Sequence, residues 1–396
     1  METISRAAAR RLAIHCQGLN TRWKLPAGKE GAAQVVDQLG YVQIDTISVI
    51  ERAHHHVLGT RQRGYHSSMI YELLVDRTVF EYWAHAAAYL PFADFRYYLA
   101  RMRGHRKAKR AEEFRRAHPR LLNQVLQRIK KEGPLSSSDF EHKSSERGPW
   151  WDWKPAKQAL EILLDRGELM VTARDNFRRV YDLAERVVPS GIDTREPGPD
   201  EVARHFARRA LVVHGVATVA EAGKMFGNRG AKTALAEMVI AGEAIEVRVT
   251  GDEEVSYALP EVLETVPARL SNGVHLLSPF DNLTIDRDRL ERLFGFCYRI
   301  ECYTPEAKRR YGYFTLPILW KGKLVGRLDP KAERKKKRFL VRKVVLEPSF
   351  RSDEAFASGL AKSLAEFAKF NGCNEIRVEK TEPRLFKKVL ESALSK

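Results

Sequence analysis

Apolar positions recur at helical spacing over roughly residues 5–17 and again over 30–39, with a basic loop between them. The pattern then changes period. YVQID, residues 41–45, alternates like a short strand. On a strand, side chains two apart share a face. Gln43 and Asp45 therefore fall on one side, with Val42 and Ile44 on the other. A carboxylate in so apolar a segment must be solvated, paired or functional. A second alternation near His55–Gly59 predicts another short strand, and residues 67–76 predict a helix. FEYWAHAAAYLP, residues 80–91, reads as an antiparallel pair closed by Pro91. Residues 95–116 read as one long basic helix.

Two later stretches repeat one plan. Residues 118–183 and 201–259 each give a helix, a glycine, a short helix, a second helix and two strands around a polar loop. Thr218 and Glu221 have capping-box spacing. Gly167 and Gly242 each stop a helix before a strand. The loops ARDNFRR and TGDEE stand where the wing of a winged helix-turn-helix belongs. The first wing carries Arg174, Arg178 and Arg179, which suit phosphate contacts; the second carries Asp252, Glu253 and Glu254, which do not. The first hundred residues fit a third, more divergent copy. Beyond about Pro260, long alternating segments predict an antiparallel sheet, then a helix over 353–370, the strand NEIRVEK and a last helix. The fold class expected is α+β: tandem winged helix-turn-helix units, three in number, then a β-rich α+β domain. The expected divisions are 1–117, 118–198, 199–262 and 263–396.

Charge narrows the partners. Lys plus Arg total 68 against 51 Asp plus Glu, a net charge of +17. The excess is clustered: 101–131 holds twelve basic residues and two acids, Glu112 and Glu113. Nucleic acid is the first expectation and an anionic membrane the second. No apolar run reaches the eighteen or so residues of a membrane span. The opening METISRAAARRLAIHCQG reads as an amphipathic helix rather than a signal peptide. Cys16, Cys297, Cys302 and Cys373 are scattered, which argues against a zinc site and a disulfide framework. A cytoplasmic, nucleoid-associated location is expected.

Several segments resemble a known family. VQIDT at 42–46, EYWAHAA at 81–87, ADFR at 93–96, DFEH at 139–142, WWDWKP at 150–155, NFRRVYDL at 176–183, LSPFDN at 277–282 and YRIECYTPEAKRRYGYF at 298–314 are similar, in order, to the YcaQ-like branch of the AlkZ-like winged-helix DNA glycosylases. The resemblance is weakest over about 190–269 and after 334. It implies three tandem winged-helix units and a β-rich domain forming a C-shaped clamp on DNA. It also implies excision of N7-alkylated purines and unhooking of interstrand crosslinks. The family's catalytic motif is glutamine, an apolar residue, then glutamine or aspartate. Here it reads Gln43, Ile44, Asp45, the aspartate form of the YcaQ-like branch. The implied partner is double-stranded DNA carrying alkylated or crosslinked guanine, bound by a monomer. No cofactor and no metal are implied.

The chemistry suits these groups. N7 alkylation gives guanine a positive charge, so the base already leaves well. What remains is to supply water and to offset charge on an oxocarbenium-like sugar, and a carboxylate does both. Gln43 can hold the same water or touch the backbone. The ordinary alternative is that Asp45 caps a turn and Gln43 bonds neighbouring backbone. No lysine stands beside the motif in sequence, and a Schiff-base nucleophile needs one. A monofunctional glycosylase is therefore expected. A crosslinked guanine is tied to the opposite strand and cannot be flipped freely, so an open cleft is expected.

Other residues carry competing readings. Glu81, Tyr82, Trp83 and His85 are candidate cleft-lining residues near Asp45, although a core position is the ordinary reading of any one aromatic. Asp281 and Asn282 in SPFDN, with Ser278, form either a turn or a wall of the cleft. His54, His55 and His56 invite a metal reading, but neighbours on a strand point oppositely and suit one ion poorly. A phosphate contact from His54 is the alternative. Lys335, Lys336 and Lys337 in KAERKKKR form a solvated loop or track phosphates. The WWDWKP tryptophans pack the entry to a helix or stack on a base. Two rival classes stay open: a winged-helix transcriptional regulator, which predicts a dimer and a palindromic site, and a metal-dependent nuclease, which needs converging carboxylates.

Overall fold

The computed structural model describes residues 1–20, 24–140 and 153–396. Trp150 and Trp151 of the WWDWKP segment lie outside the described residues. Helix Lys29–Leu39 turns Ala32, Val35, Val36 and Leu39 inward, the three-and-four spacing of a one-sided helix. Gly40 ends it in the left-handed region, φ 71°, where a side chain would strain. A Cβ there would also come within 2.7 Å of the Phe226 ring. That stop leads straight into the strand of the Gln-Ile-Asp motif.

The strands in chain order are β1 Glu2–Ile4, β2 Val42–Gln43, β3 Val79–Trp83, β4 Ala87–Pro91, β5 Leu135–Ser136, β6 Leu169–Asp175, β7 Arg178–Leu183, β8 Ala217–Thr218, β9 Ile245–Val249, β10 Ser256–Ala258, β11 Val274–Leu276, β12 Leu316–Trp320, β13 Lys323–Glu333, β14 Arg338–Leu346 and β15 Glu375–Glu382. They make four sheets among the described residues: β2-β4-β3, β5-β7-β6, β1-β9-β10-β8 and β11-β12-β13-β14-β15. The fold is mixed α+β. The first two sheets are antiparallel throughout. In the last sheet, β14 and β15 pair in parallel, with helix Glu354–Phe370 crossing between them.

Three sequence expectations change. Residues 53–61 form a helix, not a strand, and bury His54, His55, His56, Val57 and Leu58 in succession. A helix enclosed on all sides shows no periodicity to read. The long basic helix is broken into a 3-10 segment Phe92–Tyr98 and helices Leu99–Arg106 and Lys109–Ala117. Between Met102 and Ala108 no large apolar side chain sustains a buried stripe. The first residues also leave the rest of 1–117. Strand β1 pairs in parallel with β9, Glu2 opposite Val247. Helix Arg6–Cys16 packs Leu12 and Ala13 into a core shared with Val247, Leu290 and Tyr298.

The repeated plan is visible in both later stretches. Helix Trp153–Asp165 precedes β6 and β7, and helix Ala231–Ile240 precedes β9 and β10. The capping box forms as its spacing predicts: Thr218 Oγ1 accepts from the Glu221 amide, and Glu221 accepts from the Thr218 amide. A large core runs from residue 32 to 259, and a second fills the C-terminal sheet and takes in Ile50. The chain after the motif is therefore bound to the C-terminal sheet, where the Ala332 amide donates to Val49 at 2.8 Å.

Candidate active site

Gln43 stands opposite Ala88 at the end of β2. One more ladder bond follows, from the Ile44 amide to Ala87 at 2.8 Å. The ladder then stops, and Asp45 lies half-buried in the chain beyond it. Its Oδ1 accepts from the Ile47 amide at 2.7 Å. That is the turn-capping bond foreseen as the ordinary alternative, and it occupies one oxygen only. Oδ2 makes no hydrogen bond among the described residues and is not sealed from solvent. Burial raises the Asp45 pKa, and the Ile47 amide opposes the rise only in part. Restricted hydration makes the free oxygen a better base than an exposed aspartate.

Gln43 is buried, with its oxygen turned to His85: Nε2 of His85 lies 2.9 Å from Gln43 Oε1. His85 sits exposed on the turn between β3 and β4, and its ring packs edge-on against Tyr41, centroids 5.1 Å apart. A small cavity of ≈ 80 Å³ lies alongside, walled by Tyr41, His85, His214 and Lys224. Lys224 is not a free amine. Burial lowers its pKa, but hydrogen bonds to Asp286 at 2.8 Å and Asp288 at 3.0 Å outweigh that and raise it.

SPFDN lies behind the motif, and of its residues Asn282 reaches the cavity beside His85. Asp281 is fully buried and takes both ends of the Arg61 guanidinium, at 2.6 and 2.9 Å. Asn282 donates to the carbonyls of Leu39 and Tyr41, at 3.4 and 3.2 Å. Ser278 serves the turn, its Oγ accepting from the Phe280 amide at 3.2 Å. Asn282 thus holds the backbone that leads into Gln43, and Asp281 holds the helix after the motif. Asp281 and Ser278 do not face solvent, while Asn282 also walls the small cavity beside His85.

Glu81 is buried and does not line a cleft. Register puts it beside Tyr89 and Val42, on the face of the sheet opposite Gln43. It is sealed there between two arginines. Arg174 donates through Nε and Nη2 at 2.9 and 2.7 Å, and Arg179 donates to the other oxygen. The loop between β6 and β7 is thereby tied to β3. Phe177 at its tip lies under Arg52 and Arg174, 4.0 and 4.4 Å from its centroid, and stacks on His54. Arg174 and Arg179 share the single carboxylate of Glu81; the Arg174 side chain and His54 are buried and present no charge to phosphate, whereas Arg179 keeps 22% of its side chain exposed. Of that group only Arg178 projects, paired with exposed Asp175.

The histidines point to three places. His54 meets the wing tip, His55 meets the hydroxyls of Tyr65 and Tyr71 at 2.9 and 3.1 Å, and His56 donates to the Leu276 carbonyl at 2.8 Å. Burial brings the His55 pKa to about 3 and that of His56 to about 4. Tyr82 and Trp83 both reach Asp165, through its carbonyl at 2.5 Å and its carboxylate at 2.8 Å. They latch a neighbouring helix, and Trp83 stays 38% exposed.

Two neighbours of Asp45 had no independent signal in the sequence. Cys302 and Tyr303 come close enough for its charge to act on them. Burial first, then Asp45, raises the Cys302 pKa; Cys302, slight burial and Asp45 raise that of Tyr303. Tyr303 is 86% exposed. The segment is tied down by Glu301, which accepts from the amides of Arg310, Tyr311 and Gly312. The basic turn after β13 meets the chain just beyond the motif. Arg334 donates to the Ser48 carbonyl at 3.2 Å, and Lys335, Lys336 and Lys337 beside it are exposed. Arg106, Lys107, Arg115, Arg116 and Arg120 are exposed too, with no ion pair among the described residues.

A basic α+β protein with a half-buried carboxylate two residues along the chain from an oriented amide has the groups of a nucleic-acid hydrolase. The chain belongs to the AlkZ-like family of DNA glycosylases: the family described as DNA glycosylase AlkZ-like matches residues 36–370. It is a DNA repair enzyme that cleaves an N-glycosidic bond. The DNA glycosylase AlkZ of Streptomyces sahachiroi is similar in structure, with a TM-score of 0.60 at 17% identity, over 96% of this chain and 100% of that one. At that identity the likeness speaks for the fold. No described helix is long and apolar enough to cross a membrane.

Proposed function

We propose that the chain hydrolyses the N-glycosidic bond of N7-alkylated purines in double-stranded DNA and unhooks interstrand crosslinks through such bonds. In this reading Asp45 activates the water and Gln43 holds it. The observation that carries it is the split state of Asp45. One oxygen is fixed by the Ile47 amide and the other is free, half-buried and basic. The fixed oxygen sets the orientation, and the free oxygen takes a proton.

The step balances simply. Water oxygen bonds to the anomeric carbon as that carbon's bond to the purine nitrogen breaks. The bonding pair returns to the purinium ring and neutralises it. The water proton passes to Asp45 Oδ2, and the sugar is left abasic. Carboxylate charge beside the anomeric carbon offsets the oxocarbenium character of the transition state. The nearby lysine, Lys224, is held by two aspartates, which favours a monofunctional enzyme without a Schiff base. A half-buried carboxylate that keeps one oxygen open to solvent suits a lesion too large to flip.

Three tandem winged-helix units, divided near 118 and 199, and a β-rich domain from 263 would then clamp the duplex. The enzyme acts as a monomer. Lys335, Lys336, Lys337 and Arg178 supply phosphate contacts.

The test uses one duplex with a single N7-methylguanine and one with a nitrogen-mustard crosslink, in EDTA, followed by alkali. Alkali-dependent cleavage by wild type and none by Asp45→Asn is expected. Equal excision by Asp45→Asn would remove Asp45 from the mechanism. Intact crosslinks beside excised N7-methylguanine would remove the unhooking activity.

A further inference from the structure

We propose that His85 is a positioning residue for base excision: its Nε2–H holds Gln43 Oε1 and so turns the Gln43 amide nitrogen outward as a donor. This deepens the proposed function and rests on Gln43 acting with Asp45. An amide oxygen only accepts, so the 2.9 Å contact places the proton on His85 Nε2. A glutamine amide has two orientations of nearly equal shape, related by a half-turn. A donor at His85 Nε2 favours the one with the oxygen inward. The nitrogen is then outward, where Gln43 Nε2 makes no hydrogen bond among the described residues and keeps access to solvent.

The histidine is itself fixed. Tyr41 meets the His85 ring edge-on and meets Phe226 the same way, centroids 5.8 Å apart. Asn282 holds the Tyr41 carbonyl at 3.2 Å. Partial desolvation, then the charge of Lys224, lowers the His85 pKa and favours a neutral ring with one N–H. A neutral donor suits the place. An imidazolium would put a second positive charge near a sugar that is becoming cationic. An outward amide donor binds the attacking water through one lone pair and leaves the other for the anomeric carbon.

The test is a double-mutant cycle on single-turnover release of N7-methylguanine, with duplex binding measured in parallel. His85→Phe keeps a ring against Tyr41 and removes the donor. His85→Gln keeps a donor at similar reach. His85→Phe is expected to slow excision on the order of tenfold, through poorer alignment, with binding unchanged. His85→Gln is expected to restore most of the rate. In a Gln43→Ala background, His85→Phe is expected to change nothing more. A wild-type rate in His85→Phe, beside a defective Gln43→Ala, overturns the inference alone. Further slowing in the Gln43→Ala background also overturns it, because His85 would then act by a contact of its own. A wild-type rate in Gln43→Ala overturns the role of Gln43, and the inference with it.

Discussion

Arg61 and Asp281 form a two-pronged ion pair with no exposed side-chain surface on either partner. They lie 220 residues apart and join the helix after the motif to the SPFDN turn. Arg61 also donates to the Gln17 carbonyl at 2.6 Å. One buried guanidinium thus ties together the end of the N-terminal helix, the helix after the motif and the SPFDN turn. Removing one partner leaves an uncompensated buried charge. Asp281→Ala should cost about 3–5 kcal/mol of stability. Denaturant unfolding of the purified variant checks this, and a destabilisation under about 1 kcal/mol would show that water or another acid reaches Arg61.

The Glu81 pair makes a second contrast. Arg179→Ala removes a partner of a buried carboxylate, whereas Arg178→Ala removes an exposed one. Arg179→Ala should lower the melting temperature by several degrees, since about 1 kcal/mol moves a domain of roughly 150–250 residues by about 2–4 °C. Arg178→Ala should leave it nearly unchanged and instead flatten the salt dependence of duplex binding by about one unit of slope. The reverse pattern would mean that the wing lies open in solution.

Asp45 offers a trade between stability and activity. Its folded pKa is raised by burial, so the folded state binds the proton more tightly than the unfolded chain does. The ionised form therefore costs stability at neutral pH, and this cost disappears as pH falls through the folded pKa. Asp45→Asn keeps an acceptor for the Ile47 amide and carries no charge. It should abolish excision while melting at the wild-type temperature or above. For the wild type, excision should decline in acid with a midpoint above the ordinary aspartate range. Calorimetry and a pH–rate profile read the two halves separately, and a lower melting temperature for Asp45→Asn would contradict the burial cost.

The basic turn beside Ser48 should contribute affinity without specificity. Replacing Lys335, Lys336 and Lys337 by alanine should lower binding equally for damaged and undamaged duplex. The salt slope should fall by about 0.9 for each phosphate that is no longer neutralised. An unchanged slope in a fluorescence titration would place the duplex elsewhere, with the exposed Arg115, Arg116 and Arg120 as the next group to replace.

Local patterns carried much of the architecture. Helix Lys29–Leu39, the β3–β4 pair, the Thr218–Glu221 capping box and the helix Glu354–Phe370 each follow from spacing between near neighbours in the chain. Gln43 and Asp45 were legible as an anomaly, two polar groups in an apolar strand, and the resemblance supplied their implied role. The sequence also determined the net charge and its clustering. Tertiary structure decided which charges are free. Arg174, Arg179 and Arg178 look alike within one loop, yet two are taken by Glu81, which is distant in sequence, and one is exposed. It decided as well that Asp281 and Asn282 support the motif from behind, and that His85 meets Gln43. Pairing between distant residues depends on how units dock, and docking is set by the whole buried surface. No local period in the chain records it.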